Sequence, residues 1–315
     1  MKSFEEIYGE LKSDNNSELY HAWEEAKKTS EKAKKTAFIV CLVLDIIALF
    51  IWWPMIMINL PIYILVGVIA NLIIYFVLWG VLQIGGKAGE LRNKFKSEII
   101  NKLINNFYSN VHYMPNGGMS EYIYRTPRYE YYERYYSEDY FEGMINDKYD
   151  VKMAEVLTQS TRTTRDANGN TRTETITHFQ GLFAKIDMHK SINNEIKILQ
   201  NGGALFSGKR LKMDYSEFEK HFDVIIPDKI LGMQILTSDV MAELVDFEEK
   251  TKMKFDICIK GSELYLRFHS GPMFEMGSLK KGPLEEEKIR KYFYMLNFTY
   301  NLANKMINVI NEVEI

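Results

Sequence analysis

"YDVKMAEVLTQSTRTTRDANGNTRTETITHFQGLFAKID", residues 149–187, decides the fold. It reads as two long strands joined at "DANGN", where the Asn168-Gly169 pair is a good hairpin signal. The flanking "TQSTRTTR" and "TRTETITH" are nearly all polar or threonine. That end of the hairpin is therefore expected to project from the core, wet on both faces.

The pattern continues outward. Residues 120–270 are rich in Tyr, Ile, Val, Thr and Phe, cut by turn signals. "EIKILQNGGALF" (195–206) reads as a strand and turn, and "SEFEKHFDVIIPD" (216–228) as a short helix or turn followed by a strand. "TSDVMAELVDFEEKT" (237–251) is a helix with Thr237 or Ser238 as its N-cap. In "KFDICIKGSELYLRFH" (254–269), Phe255, Ile257 and Ile259 alternate, Gly261 breaks the run, and Leu264, Leu266 and Phe268 alternate back, which predicts a tight hairpin. Cys258 falls on the face opposite Ile257, either exposed or in a sheet buried on both sides. From Pro283 a long helix runs to the C-terminus, with Glu285–Glu287 at its positive end. The class is α+β: a mostly antiparallel sheet with flanking helices, without alternating βαβ units.

Upstream, residues 3–36 have helical spacing with a break at "SDNNS" (13–17). "AFIVCLVLDIIALFIWWPMIMINLPIYILVGVIANLIIYFVLWGVLQIG" (37–85) is too long for one membrane helix and about right for two, since one span needs roughly 20 apolar residues. The spans are placed near Phe38–Met57 and Ile62–Ile84, a transmembrane hairpin turning around Asn59 between Pro54 and Pro61. Trp52, Trp53 and Tyr63 mark one aromatic belt and Trp79 the other. Lys27, Lys28, Lys32, Lys34 and Lys35 precede the first span, and Lys87, Arg92, Lys94 and Lys96 follow the second. This places both termini in the cytoplasm, with the basic flanks against anionic headgroups. Asp45 and Asn71 fall at similar depth in the two spans and form a membrane polar pair, either an ion relay or a hydrogen bond that locks the hairpin or an oligomer. "GELRNKFKSEIINKLINNFY" (89–108) continues as an amphipathic helix whose face is Leu91, Phe95, Ile99, Leu103 and Phe107, ending at "MPNGG" (114–118). The expected division is 1–36 N-terminal helices, 37–85 membrane hairpin, 86–118 juxtamembrane helix and 119–315 cytoplasmic α+β domain.

The 315 residues carry a net charge of −3, so no global bias toward nucleic acid exists. Two cysteines offer no disulfide framework and no thiolate metal site. Three stretches resemble a known family. "YYSEDYFEGMINDKYDVKMAEV" (135–156) is similar to its acidic corner leading to a strand that ends in Glu-Val. "HFQGLFAKIDMHK" (178–190) resembles its Phe-x-Gly-Leu-Phe element. "FEKHFDVIIPDKILGMQILTSDVMAELVDFEEKTKMKFDICIKGSELYLRF" (218–268) resembles its longest signature. The family is a bacterial, membrane-anchored one catalogued as domain of unknown function 3137. The resemblance spans roughly residues 100–280 and implies no activity. It implies that Asp139 and Gly143 form a structural corner.

Motifs of chemistry are weak. "GALFSGKR" (203–210) nearly spells a phosphate loop, but Arg210 stands where a magnesium-binding hydroxyl is required, so a β-turn with a basic tip at Lys209 and Arg210 is preferred. His178 and His189 could approach in space, yet no histidine pair has metal-ligand spacing. Glu138, Asp139 and Glu142 form an acid cluster. "EYIYRTPRYEYYERYYSEDY" (121–140) holds eight tyrosines, which alternate as two short extended pieces on either side of "RTPR". They pack the start of the soluble domain or present a glycan or lipid-headgroup surface. The binding candidates are Tyr131, Tyr132, Tyr135 and Tyr136, with Arg162, Arg165, Lys209 and Arg210.

No cofactor is implied, and no metal. The leading reading is a membrane-anchored, cytoplasm-facing interaction or scaffold module in a bacterial inner membrane, more a binder than an enzyme. Its expected partners are the lipid bilayer, an unidentified protein and a second copy of the chain, with no nucleic acid. The alternative is an enzyme on lipid or envelope precursors at the inner leaflet, drawing on Asp139, Glu142, His178 and the basic tip.

Overall fold

The computed structural model describes residues 1–13, 18–56, 60–84, 87–165, 169–200 and 210–313, without the side chains of 48–56, 60–67 and 81–84. The chain forms two compact units. One, the hairpin unit, comprises Glu5–Ile99 and Met276–Ile289. The other, the sheet unit, comprises Met1–Phe4, Ile100–Glu275 and Arg290–Ile315.

In the hairpin unit, α1 (Phe4–Ser13) precedes α2 (Glu18–Ile56), α3 (Leu60–Ile84) and α4 (Lys87–Phe95). α2 passes the expected boundary at residue 36 without a break, and its 39 residues extend about 58 Å. Its partners run in the opposite direction. Glu18 pairs with Lys94 at 3.1 Å and Glu25 with Lys87 at 2.8 Å, Lys34 lies over the Trp79 ring at 5.3 Å, and Asp45 accepts a hydrogen bond from Asn71 Nδ2. That descending order defines an antiparallel helical hairpin. Ala22, Ala26, Ala33, Ala37 and Cys41 are its buried stripe on α2, while Phe38, Ile39, Leu42, Val43, Ile46 and Ile47 are exposed. On α3, Val68, Ile69, Leu72, Ile73, Phe76 and Val77 are exposed too. Among the described residues, no helix is long and apolar enough to cross a membrane. Pro54, Asn59, Pro61, Trp52, Trp53 and Tyr63 of the expected turn and belt lie outside the residues or side chains described. Two indole and phenol contacts tie in the 276–289 segment: Trp23 Nε1 donates to the Leu279 carbonyl at 3.0 Å and Tyr8 Oη to the Leu284 carbonyl at 3.1 Å.

After one π turn (Lys96–Ile100) come α5 (Asn101–Phe107) and the first strand, β1 (Ser109–Met114). The expected helical face of Leu91, Phe95, Ile99, Leu103 and Phe107 is buried throughout. The strand was not anticipated: extended backbone begins directly after Phe107, before the Pro115–Gly118 turn.

The sheet unit continues with α6 (Glu121–Arg125), β2 (Arg134–Ile145), β3 (Tyr149–Arg165), β4 (Thr171–Gln200), β5 (Arg210–Leu211), α7 (Ser216–His221), β6 (Phe222–Ile225), α8 (Lys229–Ile235), α9 (Ser238–Thr251), β7 (Phe255–Phe268) and α10 (Glu286–Glu312). Among the described residues, seven strands form one sheet in the order β1-β2-β3-β4-β6-β5, with β7 also on β4, and every pairing is antiparallel. The α+β class with a mostly antiparallel sheet and flanking helices is therefore what the chain adopts. β4 is the spine. Its first half lies between β3 and β7, and its last residues between β6 and β7. The expected break between residues 187 and 195 is instead a set of register shifts within one 30-residue strand, with His189 at φ 60°.

β7 corrects the second expected hairpin. Phe255 to Phe268 is a single strand paired with β4 from Ile198↔Ile257 to Leu182↔Phe268. Gly261, at φ 62°, is a bulge and not a turn. Phe255 and Phe268 contact each other and Phe298 of α10, so both halves of the strand put their apolar residues on the same face. Moving from an odd-numbered series to an even-numbered one on that face requires one slipped residue. That phase slip mimics a chain reversal in the sequence. Cys258, Tyr265 and Arg267 occupy the other face, also buried, so the sheet is covered on both sides.

Asp166, Ala167 and Asn168 of the expected turn lie outside the described residues, while the outer ends of β3 and β4 behave as their composition predicts. Thr161–Arg165 and Thr171–Thr175 are paired yet fully exposed, a two-stranded arm beyond the core. Thr237 caps α9, its Oγ1 accepting from the Val240 amide at 3.4 Å. α8, capped by Asp228, was not foreseen.

Candidate functional site

The tyrosine-rich segment covers one face of the sheet. Its first piece is helical, α6, not extended as its alternation suggested; a five-residue turn fits between Ser120 and Pro127. Tyr124, Tyr129, Tyr132 and Tyr140 join Phe179, Phe183, Cys258 and Tyr265 in one buried cluster. Tyr124 meets Phe183 edge-on at 4.9 Å and stacks on Phe179 at 5.8 Å. Each of these fully buried rings is worth roughly 1.5–3 kcal/mol of burial.

Beneath the segment lies a charged network that sequence reading missed. Arg267 is 7% exposed and stands between two carboxylates. Its Nε and Nη2 donate to Asp256 Oδ2 at 2.9 and 2.6 Å, and its Nη1 donates to Glu130. Its guanidinium lies 4.2 Å over the Tyr129 ring and 5.2 Å over Phe179. Glu130 Oε1 accepts from Tyr124 Oη at 2.5 Å and Thr158 Oγ1 at 3.0 Å. Asp256 Oδ1 accepts from the Gln200 amide at 3.1 Å, and His269 Nε2 lies 3.1 Å from Oδ2. The network fastens β3, β4, β7 and the tyrosine segment to one another. A signal was present in "FDICIKGSELYLRF": Lys260 and Glu263 flank its central glycine, but Asp256 and Arg267 stand within its apolar ends.

Above the network is a cavity of about 620 Å³ lined by Tyr124, Arg125 and residues 128–133. Arg128 adopts a left-handed φ of 50° there. Tyr131 is 81% exposed. Arg125 is held at 2.7 Å from Glu121 and 5.1 Å over the Tyr132 ring. Burial holds the Tyr124 hydroxyl up at about 12 and raises Tyr129 and Tyr132 as well, so these phenols are protonated donors at neutral pH. The cavity can stack a ring on Tyr131 and offer hydrogen bonds.

The remaining candidates lie apart from it. Tyr135 is half-buried beside Tyr132 and donates to the Met119 carbonyl at 2.9 Å, and Tyr136 is exposed. Arg162 and Arg165 project on the arm. Arg210 pairs with Asp223 at 3.0 Å, while Lys209 and most of the phosphate-loop-like stretch lie outside the described residues. Glu142 is engaged by Tyr140 and by Lys152 at 3.1 Å, which hold its carboxyl below the usual range. His178 Nε2 lies 2.6 Å from Ser160 Oγ. Burial pushes the Cys258 thiol to about 12, leaving it inert.

Asp139 is a corner in the backbone sense. It has φ 55° at the bulge of β2, its amide donates to the Pro115 carbonyl at 3.1 Å, and its Oδ1 accepts from Tyr113 Oη at 2.5 Å. Asp139, Glu138 and Glu275 place carboxylate oxygens within 4.8 Å of one another. Glu155 accepts from the Met273 amide at 2.8 Å nearby. Its burial, with the charges of Glu138, Asp139 and Glu275 added, lifts its carboxyl to about 7. A second group with metal-ligand spacing, Glu217, His221 and Glu249, sits on α7 and α9.

One residue of the Phe-x-Gly-Leu-Phe element has a clear duty. A Cβ on Gly181 would lie 2.0 Å from the Phe268 carbonyl oxygen, so β7 closes onto β4 only where this side chain is absent. Residues 177–307, from within β4 to within α10, match a family model. Its description is "Protein of unknown function (DUF3137)". Two of the three resembling stretches, 178–190 and 218–268, lie inside the match, and the corner stretch 135–156 lies before it. No curated protein and no solved structure matches the chain.

Proposed function

We propose that this protein is a membrane-anchored, non-catalytic interaction module whose sheet unit faces the cytoplasm of a bacterial cell. One observation carries the anchor: the helical hairpin buries alanines and exposes Phe, Ile, Leu and Val. In water that arrangement is inside out. In lipid it is the favourable one, because small residues let two helices approach and large apolar side chains meet acyl chains. The Asp45–Asn71 hydrogen bond fits the same setting, each group satisfying the other away from water. The lysines and arginine flanking the hairpin favour cytoplasmic termini and contact with anionic headgroups.

The interaction role rests on the arm, which is ordered by pairing, exposed on both faces and unnecessary to the core. The tyrosine cavity is a second contact surface of the same module. A protein partner and self-association through the hairpin belong to this reading. The test is alkaline carbonate extraction of membranes together with reporters fused after Ile315. The protein should stay in the pellet, with a cytoplasm-active reporter on and a periplasm-active one silent. Release into the supernatant overturns the anchor, and an active periplasmic reporter overturns the orientation.

A further inference from the structure

We propose that Glu217, His221 and Glu249 bind a divalent transition-metal ion of the zinc class, with Glu248 as the outer support of the histidine. Helix α7 sets Glu217 and His221 one turn apart on the same face, and α9 brings Glu248 and Glu249 to it. His221 Nε2 lies 3.9 Å from a Glu217 oxygen and 3.7 Å from a Glu249 oxygen, and the three ligand atoms all fall within 4.8 Å of one another. His221 Nδ1 lies 2.8 Å from Glu248 Oε2, and Glu248 Oε1 accepts from Gln200 Nε2 at 3.3 Å.

That outer hydrogen bond keeps a proton on Nδ1 and aims the Nε2 lone pair at two carboxylates, the carboxylate–imidazole–metal arrangement of many metal sites. Lone pair and carboxylates repel unless a cation lies between them. The observed 3.7 and 3.9 Å approach the roughly 3.3 Å edges of a tetrahedron with metal–ligand bonds of about 2.0–2.1 Å. Lys220 neutralises the other Glu217 oxygen at 2.6 Å and leaves Oε1 for the ion. One imidazole with two carboxylates suits zinc and its neighbours better than magnesium, and three protein ligands leave a fourth position for water or a ligand.

The test uses the untagged, detergent-solubilised full chain, stripped with a chelator and titrated with Zn²⁺ against a chromophoric competitor. One tight equivalent is expected, not displaced by millimolar Mg²⁺. Glu249→Gln should weaken it at least tenfold. Its side chain is 52% exposed, so the fold does not depend on it. Glu248→Gln should weaken binding by about 10- to 100-fold. Co²⁺ should give tetrahedral ligand-field absorption in the wild type and not in Glu249→Gln. Wild-type affinity no higher than that of Glu249→Gln, or a Co²⁺ spectrum unchanged by the substitution, overturns the site.

Discussion

Gly181 shows what a single missing side chain permits. Because a Cβ there would overlap the Phe268 carbonyl, Gly181→Ala must push β7 off β4. We expect a loss of at least about 3 kcal/mol in urea unfolding; a loss below 1 kcal/mol would mean the strands can separate locally at little cost. Arg267 makes the opposite kind of demand. Arg267→Ala leaves Glu130 and Asp256 facing each other in the core, at an expected cost of about 3–5 kcal/mol by the same measurement. Glu155 ties stability to pH. Its carboxyl sits at about 7 in the folded chain against 4.5 when unperturbed, so the native state holds a proton that the unfolded state has lost. Stability from this group is full below about pH 4.5 and falls as pH rises to about 7. Thermal melts of Glu155→Gln should lose that slope between pH 5 and 7, and an unchanged slope would assign it to other carboxylates.

At the scale of the element, the arm and the spine differ in what they owe the core. The described side chains of residues 161–173 are exposed, so removing the segment should shift the melting temperature by no more than a few degrees while partner capture is lost. A large drop in melting temperature would make the arm part of the fold. The arm was legible because threonines and charges on both faces leave a strand nothing to bury. β7 was misread for an equally physical reason: a bulge and a turn both interrupt alternation at a glycine, and only the partner strand distinguishes them. The tyrosines were legible as packing, but not their partner, since Arg267 lies some 140 residues downstream of the segment it anchors. The ligand geometry around His221 was invisible for the same reason, two of its carboxylates coming from a different helix.

Across the whole molecule, the proposed anchor gives the hairpin unit a different solvent from the sheet unit. In detergent, Ala37→Leu should cost about 1–3 kcal/mol by crowding the helix contact, whereas Leu42→Ala, on the exposed side, should change stability by less than 0.5 kcal/mol. Equal effects would mean the hairpin is not packed through its alanines.

The position of β4 carries a consequence for synthesis. Its apolar residues Leu182, Ala184, Ile186, Ile196 and Ile198 leave the ribosome well before Phe255–Phe268, the strand that closes their free edge. A nascent chain halted near residue 250 therefore presents a long, sticky template for any extended peptide nearby. With α2 and α3 made first, the anchoring proposed above would hold such half-made chains apart from one another until the last strand arrives.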